Sequence, residues 1–119
     1  MAKLLFHIVT GPENPTRVAL GMLVAKTAVA ADHDVTVFFA GDAVSALRAE
    51  TLDAANGVGT GSLREHFDAL VAGGASLFGS AMSANARGID GETLGGAVEL
   101  VKPDRLVELI VGAEQVVTY

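Results

Sequence analysis

The sequence predicts one three-layer α/β domain, with a mostly parallel five-stranded sheet and helices on both faces. Three observations carry this reading. Short apolar runs alternate with longer stretches of helical periodicity, and that alternation builds parallel sheets. Strand candidates stop at turn pairs such as Gly11-Pro12 and Gly41-Asp42. The chain has 119 residues, the length of a single domain, so one domain spans 1–119.

The first strand is Lys3–Thr10, an apolar run closed by Gly11-Pro12. Asn14-Pro15 reads as a helix cap followed by proline at the first helical position, opening a helix over Thr16–Ala31. Val18, Met22, Ala25 and Val29 form one stripe of it, while Leu20, Leu23 and Val24 fall outside. A helix this apolar around its circumference is buried on more than one side, which predicts contact with another subunit. Asp34–Ala40 is the second strand, and Asp42 is expected to cap a short helix ending near Arg48. Glu50–Gly61 carries Asn56-Gly57, Gly59 and Gly61 and reads as a mobile loop.

Ser62 with Glu65 forms a capping box for a helix that ends at Gly73-Gly74. The third strand is Ala75–Gly79, followed by a helix over Ser80–Arg87 closed by Gly88. Asp90–Gly96 is rich in turn residues, and Ala97–Val101 reads as a short fourth strand. Pro103 and Asp104 open the last helix, Gly112 closes it, and Gln115–Tyr119 is the final strand.

Composition narrows the function. Eight basic against 14 acidic residues leave a net charge of −6. Nucleic acid and anionic membrane both want a basic face, so neither is an expected partner. Half of the residues are apolar and 14 are glycine. Together these make roughly three-fifths of the chain, above the ~45–50% usual for soluble domains, which predicts an oligomer interface. The sequence has no cysteine, which excludes disulfides, thiolate metal sites and cysteine-based catalysis. The longest charge-free stretch, Ala69–Ala86, is broken by Gly73, Gly74 and Gly79 and does not read as a membrane span. No signal segment is recognised, and a cytoplasmic protein is expected.

Ligands of open α/β sheets bind outside the carboxyl ends of the strands. That rule nominates Thr10, Asn14, Asp42, Ser80, Met82, Ser83 and Arg87, and predicts a crevice at Thr10, Asp42 and Ser80–Ser83. Asn14 and Asp42 read equally as caps, and Arg87 as a structural partner of Asp90 or of helix-end carbonyls. Asn56–Ser62 (NGVGTGS) precedes a helix as a phosphate loop does, but lacks the Lys-Ser/Thr ending. The three histidines have no metal-ligand spacing, so no metal and no cofactor are expected. His7 shares a face with Leu5 and Val9 and reads as a core histidine, and His33 between two acids as solvated. Ser80 lacks the G-x-S-x-G elbow, because Met82 stands where the second glycine belongs. A catalytic Ser80 needs its base from His7 or another subunit.

The segments LLFHIVTGPENPTRVALGMLVAKTA, HDVTVFFAGDAV, LREHFDALVAGGASLFGSAMSANARGI and VELVKPDRLVELIVGAEQVVTY resemble the DsrE/DsrF-like family of small sulfur-relay proteins. The likeness runs from Lys3 to Tyr119 through many weak positions, the most characteristic being Thr10-Gly11, Gly41-Asp42 and Ala86-Arg87-Gly88. It implies a flavodoxin-like fold and assembly into trimers or hexamers. It also places Ser80 where catalytic members carry a sulfur-accepting cysteine. A hydroxyl cannot form a persulfide, so relay chemistry is not expected of this chain alone. The leading expectation is an oligomeric, non-catalytic or small-ligand-binding relative. Two alternatives stand beside it: Ser80-dependent acyl transfer or hydrolysis at a subunit interface, and an anion or nucleotide binder using Thr10–Thr16 and Asn56–Ser62.

Overall fold

A computed structural model describes every residue from Met1 to Tyr119. Its strands are β1 (Lys3–Ile8), β2 (Asp34–Phe39), the short pair β3 (Asn56–Gly57) and β4 (Gly61–Ser62), β5 (Ser76–Ser80), β6 (Glu99–Val101) and β7 (Gln115–Thr118). Its helices are α1 (Pro15–Ala30), α2 (Ala49–Ala54), α3 (Leu63–Ala72), α4 (Ala81–Ala86) and α5 (Pro103–Gly112), with a 3-10 helix over Gly41–Leu47. The main sheet has five strands in the order β6-β5-β2-β1-β7, all parallel.

Side chains alternate across this sheet and sort into two layers. Phe6, Ile8, Val35, Val37, Phe39 and Leu77 join one core cluster with Val18, Met22 and Ala25 of α1 and Leu63, Phe67 and Leu70 of α3. Leu5 and Phe38, both buried, stand outside that cluster on the opposite face. That face is thinly covered. Arg105 of α5 lies over the Phe78 ring at 5.3 Å, yet α5 has no fully buried residue. The strand order explains the split. The chain steps from β1 through β2 and β5 to β6, then returns past β1 to form β7. A right-handed crossover in the reverse direction puts its helix on the other face.

The expected helix starts follow from their caps. Asn14 Oδ1 accepts from Arg17 N at 3.2 Å, Ser62 Oγ from Glu65 N at 3.2 Å, and Ser80 Oγ from Ser83 N at 3.2 Å. Two local expectations are corrected. Glu50–Gly61, expected as a loop, forms most of α2 and the β3–β4 hairpin. Its order comes from tertiary contacts: Leu52 is buried, Val58 N–H donates to Thr16 Oγ1, and Thr60 Oγ1 donates to Thr16 O. Asp42 does not cap the helix that follows it. The capping position is Ala40, which makes no side-chain bond, and Asp42 sits in the first turn. No helix is long and apolar enough to cross a membrane.

Candidate functional site

The carboxyl ends of the parallel strands carry two separate groups of residues. The first is a polar network between the loop after β2 and the start of α4. Arg87 Nη2 donates to Asp42 Oδ1 at 2.7 Å and Arg87 Nη1 to Ser83 O at 3.0 Å. Gly41 N–H donates to Ser83 Oγ at 2.9 Å, and Ser83 N–H to Ser80 Oγ. Four nominated residues, Asp42, Ser80, Ser83 and Arg87, therefore meet, but they bond one another rather than line an open crevice. Arg87 takes Asp42 and not Asp90. Asp90 instead accepts from Thr93 N–H and Oγ1, both at 2.8 Å, which hold its carboxyl below the usual value. Met82 points outward, exposed.

The second group is a cleft of about 640 Å³ where β1 and β7 end beside α1. Thr10 and Asn14, the other two nominated residues, line it with Val9, Thr16, Arg17 and Leu20. Thr118 and Tyr119 close the far wall. The predicted crevice is thus divided. Thr10 belongs with β7, whereas Asp42 and Ser80 lie in the network. The link between them is backbone: Gly11 packs so tightly on the Asp42 carbonyl that a Cβ there would overlap it. Nothing in the local sequence ties Tyr119 to Thr10, because their meeting depends on β7 pairing with β1.

The histidines are scattered. His7 stands edge-on to Phe38, with ring centroids 6.0 Å apart, and its Nε2 is buried without a partner. Burial lowers its pKa below the usual histidine value. His33 is not simply solvated, since its Nδ1 accepts from Ala2 N–H at 2.9 Å. His66 is buried on α3 and bonds Thr60 O through Nε2 at 2.6 Å, pinning the hairpin. No group of three or more acidic or imidazole side chains gathers as a metal site.

A parallel five-stranded sheet with helices on both faces, and its polar residues at the strand ends, defines a small α/β protein of the flavodoxin-like type. Residues 3–119 match the DsrE/DsrF-like family, and the chain belongs to it. Its fold is similar to that of the ychN protein from E. coli, with 18% identity, 100% of both chains covered and a TM-score of 0.85. It is also similar to MTH1491 from Methanobacterium thermoautotrophicum, described as a protein of unknown function, with 18% identity, 100% of both chains covered and a TM-score of 0.76. BT1422 from Bacteroides thetaiotaomicron, a conserved protein of unknown function, matches at 9% identity, 98% of this chain, 95% of its own and a TM-score of 0.72. No curated protein matches the sequence.

Proposed function

We propose that this protein is an oligomeric, ligand-binding or structural member of its family that does not itself carry persulfide sulfur. One observation carries the reading. The sequence has no cysteine, and the family resemblance gives the sulfur-accepting position to Ser80, whose hydroxyl is engaged as the cap of α4. A persulfide needs a sulfur nucleophile, and none is present. Acyl transfer through Ser80 is less well supported. Its base would be an imidazole within reach, but His33 and His66 bond Ala2 N–H and Thr60 O, and His7 Nε2 has no partner. Self-association is supported by apolar side chains left open on the single chain, including Leu20, Val107, Val111 and Val116.

The test is incubation with a charged cysteine desulfurase and labelled sulfur, read by intact mass. The mass is expected to stay unchanged. Gain of one stably bound sulfur atom overturns the reading. Native mass spectrometry of protein purified from its own host then reports the assembly and any retained small molecule.

A further inference from the structure

We infer that the cleft where β1 and β7 end beside α1 binds the oxyanion of a small organic acid, a phosphate or a carboxylate, with the apolar body of the ligand lying on Val9, Leu20 and Tyr119. This deepens the ligand-binding reading above and rests on it.

The position is the first argument. Strand order reverses between β1 and β7, and open α/β sheets bind ligands at such a reversal, outside the carboxyl ends. The cleft opens at that place. Its volume of about 640 Å³ falls within the range of small-molecule sites.

Unsatisfied donors are the second argument. Thr10 is 9% exposed and lines the cleft, yet its hydroxyl bonds no protein group. That hydroxyl is not fully shut off from solvent. The Thr10 main-chain N–H also lacks a protein partner. At the start of α1, Asn14 takes the amides of Arg17 and Val18, and Pro15 has none. The Thr16 N–H is left over. A buried threonine hydroxyl without a partner, in a cleft that also takes in the start of a sixteen-residue helix, is matched by an acceptor that carries negative charge.

Charge is the third argument. Arg17 is the only ionisable side chain in the lining other than the Tyr119 phenol, and it takes part in none of the protein's four ion pairs. No carboxylate side chain lines the cleft, although the chain carries a net charge of −6. The nearest acid in sequence, Glu13, has one oxygen engaged by Gly11 N–H at 2.9 Å. The Tyr119 main-chain oxygen accepts from Val9 N–H at 2.8 Å. The apolar wall separates an organic anion from a bare ion. Gly21 allows the Tyr119 ring to lie close against α1, because a Cβ there would stand 3.1 Å from it.

The experiment titrates the full chain with phenyl phosphate, benzoate, inorganic phosphate and phenol, followed by calorimetry and amide NMR. Either organic anion is expected to bind more tightly than inorganic phosphate and phenol, shifting the Thr10, Thr16 and Arg17 amides. The stronger of the two identifies the headgroup. Thr10→Val removes the idle hydroxyl at nearly constant shape and is expected to weaken binding about tenfold without lowering Tm. Arg17→Gln is expected to weaken it about fivefold. Arg64→Gln, which removes the same charge far from the cleft, is expected to leave it unchanged. The inference is overturned if phenol binds as well as the anions, if no probe binds, or if Thr10→Val and Arg17→Gln bind like the wild type. None of these results bears on sulfur uptake, so the absence of persulfide chemistry stands or falls separately.

Discussion

Arg87 Nη2 lies 2.7 Å from Asp42 Oδ1, and this pair ties the end of α4 to the loop after β2. Both side chains reach solvent, at 30% and 62% exposure, so the bond acts mainly as a locator. A double-mutant cycle of Asp42→Ala and Arg87→Ala is expected to give a coupling of about 0.2–1 kcal/mol in urea unfolding. Arg87→Ala alone is expected to cost more than this coupling, because it also removes the donor to Ser83 O. A coupling above 3 kcal/mol would mean that the pair is desolvated in an assembly.

Gly11 is expected to tolerate no side chain. A Cβ there would overlap the Asp42 carbonyl, which cannot swing away as a side chain can. Gly11→Ala should therefore cost about 1–3 kcal/mol by forcing the two loops apart. Gly59→Ala provides the contrast. Nothing lies near its added Cβ, and only its φ of +72° opposes the change, so about 1 kcal/mol is expected. Equal midpoints for Gly11→Ala and the wild type in denaturant would contradict the close approach.

His7 predicts a pH dependence. Its pKa is lowered in the fold by burial, so the unfolded chain binds the proton more readily than the folded one. Stability from this group is full above the ordinary value of 6.5 and is lost as pH falls below it. Tm is expected to decline from pH 7.5 toward pH 5.5, and His7→Leu should flatten that decline. An unchanged slope in the variant would assign the effect to other groups.

Ser80 should behave as a cap. Ser80→Ala is expected to lose about 1 kcal/mol with no other phenotype. A fluorophosphonate probe is expected not to label the wild type, and labelling at Ser80 would revive the acyl-transfer reading. Ser80→Cys supplies the missing thiol. Gain of one sulfur from a charged desulfurase by that variant alone would support the positional match with the family cysteine.

Self-association is expected in light scattering as a mass above that of one chain. Leu20 is 38% exposed on α1, so Leu20→Glu can lower the mass without burying a charge in the core. Leu23 is half-buried, and its replacement by Glu is expected to reduce stability as well. A monomer at every concentration would remove the oligomer from the proposed function.

Much of the fold was legible because each piece had a local cause. Asn14-Pro15, Ser62 with Glu65, and Pro103 mark helix starts within one turn of the structure. Apolar runs ending at turn residues located all five strands of the sheet. The missed elements depend on distant partners. The hairpin at Asn56–Ser62 is held by Thr16 and His66, and no local signal in Gly-rich sequence reports either.

The sequence by itself determined the alternation of strands and helices, the absence of thiol chemistry and most caps, because these follow from spacing and residue type. Only the tertiary structure decided which strand ends meet. Placing β7 beside β1 brings Tyr119 to Thr10, while the close approach of Gly11 to the Asp42 carbonyl leaves Asp42 free to pair with Arg87. Residues nominated as one site thus became a closed polar network and an open cleft. Strand order comes from the sum of weak packing preferences over the whole sheet, and no short stretch of sequence encodes that sum.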